Sequence, residues 1–213
     1  MTVRAKICGI NSPEAMDCAL EHGAAWVGIM FFPPSPRFVE MQQAAALATQ
    51  SSGQAERVGV FVSPDDDLLD QTLAAVALDA IQLHGKEPPG RVAEVKARTG
   101  LPVWKAVSIS DQSDVEKASQ YFDTADRLLF DAKPPKDSVL PGGNAVSFDW
   151  TLLTGTEWPV PWLLSGGLHT GNVAAAVNLT RAAAVDVSSG VESAPGHKDP
   201  ARIRAFLDAV AAI

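Results

Sequence analysis

Cysteine is scarce in this chain, with only Cys8 and Cys18 among 213 residues. One disulfide is formally open to such a pair, but two thiols beside an adequate core fit a reducing compartment better. Histidine is also sparse, four in all, and neither residue type falls at the spacing of a zinc site, so no metal is expected. Positive charge is in deficit: 17 Lys and Arg stand against 25 Asp and Glu, a formal net charge of −8. That balance argues against a broad nucleic-acid or anionic-membrane surface, while leaving room for a local basic pocket. No apolar run approaches the ~20 residues of a membrane-spanning helix. The opening MTVRAKICGI lacks the apolar stretch and small-residue cleavage site of a secretion signal. A cytoplasmic protein is expected, with neither nucleic acid nor membrane as partner. A P-loop and a dinucleotide fingerprint are both missing. So are a Pro/Gly/Ser-rich linker and a sequence repeat, and one domain over 1–213 is expected.

What the chain does have is alternation. Short apolar, β-branched runs alternate with Ala-rich amphipathic stretches, eight times over. Strands are expected over 3–8, 25–30, 57–62, 80–83, 102–107, 127–130, 161–164 and 184–187. Helices are expected over 13–22, 42–48, 65–77, 89–98, 114–121, 148–153, 170–178 and 200–212. Strands apolar on both faces belong to a parallel sheet covered by helices. An open, doubly wound sheet is the alternative. Eight units in a chain of this length fit a closed (β/α)8 TIM barrel better.

In such a barrel the chemistry sits at the carboxyl ends of the strands. Cys8 ends the first strand, and Lys6 shares its face. A neighbouring ammonium favours the thiolate, which can serve as a base. Cys18 lies mid-helix among Ala and Leu and reads as structural. The second strand leads to Arg37 through a stiff Pro-rich loop, and the fourth ends Gln82-Leu83-His84-Gly85. Asp131 follows the apolar run Leu128-Leu129-Phe130. An apolar pocket would raise its pKa and let it donate a proton near neutral pH. Its alternative role, a helix cap, fits poorly, since no helix is expected before residue 148. Gly166-Gly167 and Ser189-Gly190 follow the seventh and eighth strands, where barrels commonly hold a phosphate, often with a short extra helix. One glycine pair would suit a tight turn. Two such loops at the two expected strands favour a phosphate, and a sugar phosphate over a nucleotide.

In order along the chain, KICGI, FFPPSPR, VGVF, IQLHG, LLFDAK, LLSGGL and VDVSSGVESAPGHKD resemble the motifs of the phosphoribosylanthranilate isomerase family. They span residues 6–199, and KICG and the last motif are the distinctive ones. One stretch departs: the family usually shows Gly-Gly-Thr-Gly after Pro141, and this chain has Gly142-Gly143-Asn144-Ala145. The resemblance implies an isomerase of tryptophan biosynthesis that carries out a cofactor-free Amadori rearrangement of a phosphosugar. It implies Cys8 as base, Asp131 as acid, and Arg37 paired with the anthranilate carboxylate. Lys6, His84 and Asp186 would be further substrate-binding side chains. Gly166, Gly167, Ser189 and Gly190 would hold the phosphate, in a monomer or a homodimer. A histidine-pathway barrel isomerase is the nearest rival, but such enzymes resemble one another in using paired aspartates, and Cys8 disfavours that. A non-enzymatic binding barrel is disfavoured by the polar residues at six strand ends.

Overall fold

The computed structural model describes residues 2–134, 142–143 and 147–213. Eight parallel strands close into a barrel in chain order, the first pairing with both the second and the last. They are β1 (Arg4–Cys8), β2 (Trp26–Met30), β3 (Glu56–Phe61), β4 (Ala80–Leu83), β5 (Val103–Ile109), β6 (Arg127–Ala132), β7 (Trp162–Leu164) and β8 (Ala184–Val187). The helices α1 (Pro13–Glu21), α2 (Met41–Gln50), α3 (Asp66–Ala75), α4 (Pro89–Thr99), α5 (Gln112–Lys117), α6 (Val173–Thr180) and α7 (Pro200–Ala211) surround them. Their starts follow local signals. Ser12, Asp65, Asp111 and Asp199 each accept a backbone N–H of the helix they open, which satisfies donors the helix itself cannot. Among the described residues no helix is long and apolar enough to cross a membrane.

Side chains alternate across each strand, and in a barrel the two faces meet different neighbours. Trp26, Val58, Ala80, Trp104, Ala106, Leu129, Leu163 and Ala184 form one buried cluster, the plug inside the barrel. Ile7, Ile29, Ile81, Leu128, Phe130 and Val185 belong to a second cluster with the helices. With Ile7 outside, Lys6 and Cys8 must point inside. Leu129 inside likewise brings Asp131 inside, and Ala184 brings Asp186.

Three segments differ from expectation. Among the described residues between β6 and β7 there is no α-helix, only a 3-10 turn, Trp150–Leu153. Its four residues are closed off by Gly155 at φ 72°. Trp158 covers the strand in a helix's place, its ring 4.5 Å from Phe130 and 6.3 Å from Trp162. Helix α6 starts at Val173 because the Asn172 side chain is engaged further back, donating to the Gly167 carbonyl and accepting from His169 N–H. After β8, a three-residue 3-10 turn (Ser189–Val191) leads into an antiparallel hairpin, β9 (Glu192–Ala194) and β10 (His197–Lys198). Asn144 and Ala145, the departure from the family pattern, lie outside the described residues.

A buried ion pair ties together the loops after β3 and β4. Lys105 Nζ lies 3.1 Å from Glu87 Oε2 and donates to the Gly85 carbonyl at 2.8 Å. Glu87 Oε1 accepts from Ser63 N–H at 2.7 Å and Gly85 N–H at 3.0 Å. Ser63 holds φ 47°, a conformation that costs energy for a residue with a side chain. Replacing one partner strands the other charge, so Lys105→Met is expected to lower stability by about 3–5 kcal/mol, read as the midpoint shift in urea unfolding. A shift worth under about 1 kcal/mol would mean that the pair does not hold these loops.

Candidate active site

A pocket of about 720 Å³, its open mouth included, lies at the carboxyl ends of the strands. Cys8, Arg37, His84, Asp131, Ser165 and Asp186 line it, together with Gly166, Gly167, Leu168, Ser188 and Ser189. The structure therefore brings eight of the ten expected residues to one cavity. The other two, Lys6 and Gly190, sit behind its wall.

Lys6 is one inward position deeper than Cys8 and fully buried. Its Nζ donates to Asp186 Oδ1 at 2.8 Å, and Asp186 Oδ2 accepts from Ser165 Oγ at 3.3 Å. Burial works to lower the Lys6 ammonium, but the Asp186 carboxylate and the Cys8 thiol outweigh it and raise its pKa. For Cys8 the balance goes the other way from the sequence expectation. Burial pushes the thiol up, and the neighbouring Lys6 and Lys198 ammonium groups only partly offset it. A lysine alongside does not make a thiolate when both groups are cut off from water and Asp186 already claims the lysine.

Asp131 is not isolated in an apolar wall. Its Oδ1 accepts from Ala132 N–H at 2.8 Å, and its Oδ2 lies 3.2 Å from His84 Nε2. His84 Nδ1 is 2.8 Å from Gln82 Nε2. With the Gln82 amide donating, the neutral ring carries its proton on Nε2 and donates it to Asp131. His84 thus orients a carboxyl that faces the cavity.

Arg37 is buried rather than displayed on a loop. Its Nε and Nη2 donate to the two oxygens of Glu192, at 2.7 and 2.9 Å, and Nη2 also donates to the Gly143 carbonyl. The two-pronged bond fixes the plane of the guanidinium. Lys198 binds the same carboxylate, its Nζ 2.6 Å from Glu192 Oε1. Burial acts to raise the Glu192 carboxyl, but Arg37 and Lys198 together hold it below its ordinary value.

The two glycine loops meet side by side. Gly166 and Gly167 hold φ of 83° and 68° in succession, a backbone path that side chains resist. Gly190 serves a different purpose: a Cβ there would stand 2.0 Å from the Leu168 carbonyl oxygen. Its bare backbone lets the two loops close together. The short helical element beside them is the three-residue 3-10 turn after β8, whose first residue, Ser189, lines the pocket.

Glu192, Lys198, Ser165 and Gln82 are site residues that the sequence reasoning did not single out. A signal existed for the first two. Pro195-Gly196 marks a turn between a carboxylate and an ammonium six residues apart, and a hairpin there brings the two together. Among the described residues no group of three His, Cys, Asp or Glu side chains is placed to hold a metal ion.

A closed barrel with a polar, partly charged pocket at its carboxyl face defines the class, a (β/α)8-barrel enzyme. Within that class the chain belongs to the N-(5'-phosphoribosyl)anthranilate isomerase family, whose model, described as "N-(5'phosphoribosyl)anthranilate (PRA) isomerase", matches residues 5–209. It is 58% identical over 209 residues to the N-(5'-phosphoribosyl)anthranilate isomerase of Paramagnetospirillum magneticum, covering 98% of this chain and 97% of that one. The phosphoribosyl anthranilate isomerase of Thermotoga maritima superposes with a TM-score of 0.88 at 36% identity, covering 99% of this chain and all of the other. A solved phosphoribosyl anthranilate isomerase in complex with reduced 1-(o-carboxyphenylamino)-1-deoxyribulose 5-phosphate superposes at 0.86 with 34% identity, covering 99% of this chain and all of that one.

Gly190→Ala tests how the two loops meet. The added methyl forces Leu168 away, so the melting temperature is expected to fall by about 4 °C or more, with weaker binding of inorganic phosphate by calorimetry. Unchanged values of both would show that the loops tolerate separation.

Proposed function

We propose that this chain converts N-(5-phosphoribosyl)anthranilate to 1-(2-carboxyphenylamino)-1-deoxyribulose 5-phosphate in L-tryptophan biosynthesis, with Asp131 as general acid and Cys8 as general base. The observation that carries the assignment is that one pocket holds a carboxyl on β6 and a thiol on β1, with the loops after β7 and β8 between them. The acid, the base and the anion loops thus share a single cavity.

The reaction needs one proton given by the acid and one taken by the base, followed by tautomerisation of the enol. Asp131 gives its proton to the furanose ring oxygen as the bond from C1 to that oxygen breaks, and the nitrogen lone pair forms the iminium. The Cys8 thiolate then takes the proton from C2, whose electrons neutralise the iminium and leave an enolamine. The enol loses its hydroxyl proton as C1 gains one, which yields the ketone. C2 is oxidised and C1 reduced within the substrate, so no external electron carrier is required. The cycle leaves Asp131 one proton short and Cys8 one proton over, and exchange with solvent resets them.

Supporting roles follow from geometry. His84 holds the Asp131 carboxyl toward the cavity. Asp186, anchored by Lys6 and Ser165, faces the sugar hydroxyls. Gly166, Gly167 and Ser189 offer backbone N–H groups to the phosphate, and Gly190 packs behind them. Arg37 meets the anthranilate carboxylate through Nη1, since Nε and Nη2 serve Glu192 and the Gly143 carbonyl. The same reading makes the enzyme cytoplasmic.

Cys8→Ala and Asp131→Asn are each expected to lower kcat by at least the ~10²–10⁴-fold typical of a lost acid or base, followed as the decay of substrate fluorescence. Loss of less than about tenfold in either would remove that residue from its role. The pH dependence has a definite sign. The base is the thiolate, and burial places its ionisation above the usual cysteine range. With substrate saturating, kcat is therefore expected to climb with pH well past neutrality, and a limb rising only between pH 5 and 7 would contradict Cys8 as the base.

A further inference from the structure

Arg37 and Glu192 by themselves would form a neutral pair, and a neutral pair offers an arriving carboxylate little net attraction. The fold adds a third charge. Lys198 sits on β10 with its side chain fully buried. It donates to Glu192 Oε1 at 2.6 Å, to the Ser188 carbonyl at 3.0 Å and to Ser188 Oγ at 3.2 Å. All three ammonium protons have an acceptor. Arg37 and Lys198 thus share one carboxylate, and the triad carries a net charge of +1. The other buried cation of the site, Lys6, is matched one to one by Asp186. The surplus is specific to the Arg37 end, and Arg37 is the member of the triad that lines the pocket. A surplus charge removed from water is costly unless an anion comes to meet it.

We infer that Glu192 and Lys198 are positioning residues that fix Arg37 and leave it an uncompensated positive charge for the carboxylate of the substrate's aromatic ring. The inference rests on the assignment of Arg37 proposed above. Lys198 also holds Ser188, next to the loop that receives the phosphate.

The acid–base balance of Lys198 agrees with a surplus. Burial brings its ammonium down to about 8, and Glu192 resists this only in part because Arg37 competes for it. Glu192, Arg37 and the Cys8 thiol are the titratable and charged groups that face it. Below pH 8 the triad is positive, and above it the triad becomes neutral. Affinity for a carboxylate-bearing ligand falls as pH rises through that point.

The test compares two probes by calorimetry: reduced 1-(o-carboxyphenylamino)-1-deoxyribulose 5-phosphate and the same compound without its carboxylate. Lys198→Met is expected to weaken the first by about 10–100-fold, the scale of a lost charge interaction in a partly desolvated site, and to leave the second nearly unchanged. Lys198→Arg keeps the charge and the discrimination. Glu192→Gln combined with Lys198→Met restores the net +1 and recovers most of the lost affinity. The fall in affinity near pH 8 disappears in Lys198→Met. Equal weakening of both probes with no recovery in the double variant would make Lys198 a strut and overturn the inference, leaving the role of Arg37 intact. Arg37→Met is the separate control. If it fails to distinguish the probes, the carboxylate assignment itself falls.

Discussion

Inside a closed eight-stranded barrel, every second side chain of every strand has only the axis to point into. That constraint orders the whole molecule by height. At the foot of the barrel Arg4, Glu56 and Arg127 pack on an apolar layer in which Trp26 and Trp104 meet edge to face at 5.6 Å. One inward step higher are Lys6, Gln82 and Asp186, all buried and polar. At the mouth come Cys8, His84 and Asp131, which face the pocket. The reactive groups rest on a polar layer, and the polar layer rests on a dry plug. Water reaches the site from one side only.

This stacking explains why charge is so closely managed. Lys6 with Asp186, Lys105 with Glu87, and Arg37 with Glu192 and Lys198 are all taken out of water together with their partners. Such pairs gain little net stability, because desolvation consumes much of the attraction. What they supply is fixed geometry, since a broken pair is far more costly than a formed one is favourable. The thiol illustrates the compromise. Burial makes Cys8 a stronger base and at the same time a scarcer one at neutral pH. The two ammonium groups beside it limit how scarce it becomes.

Much of this was legible in the sequence. The strands over 80–83 and 184–187 have the expected bounds, each a short run that ends against a polar residue, His84 and Ser188. That Lys6 and Cys8 share a face followed from a period of two. Other features were hidden because they depend on residues distant in the chain. Nothing near Arg37 announces Glu192, 155 positions away. Nothing near Gly190 announces the Leu168 carbonyl that needs its bare Cα. Among the described residues after β6, Trp158 packs on Phe130 where a helix face was expected, which no periodicity encodes. The ionisation of Cys8 depends on the sum of burial and several charges, and its sign emerged only with their positions.

The seam between β1 and β8 has a consequence for how the molecule is made. Lys6 and Asp186 are separated by 180 residues, and Cys8 and Asp131 stand on the first and sixth strands. During synthesis the first strand leaves the ribosome with an unpaired edge and a lysine whose counter-charge does not yet exist. It stays that way until the eighth strand has emerged. Closing the seam therefore completes the sheet and pairs the lysine at the same moment. No partial barrel made along the way contains the site, so a nascent chain gains its chemistry only when the last strand takes its place.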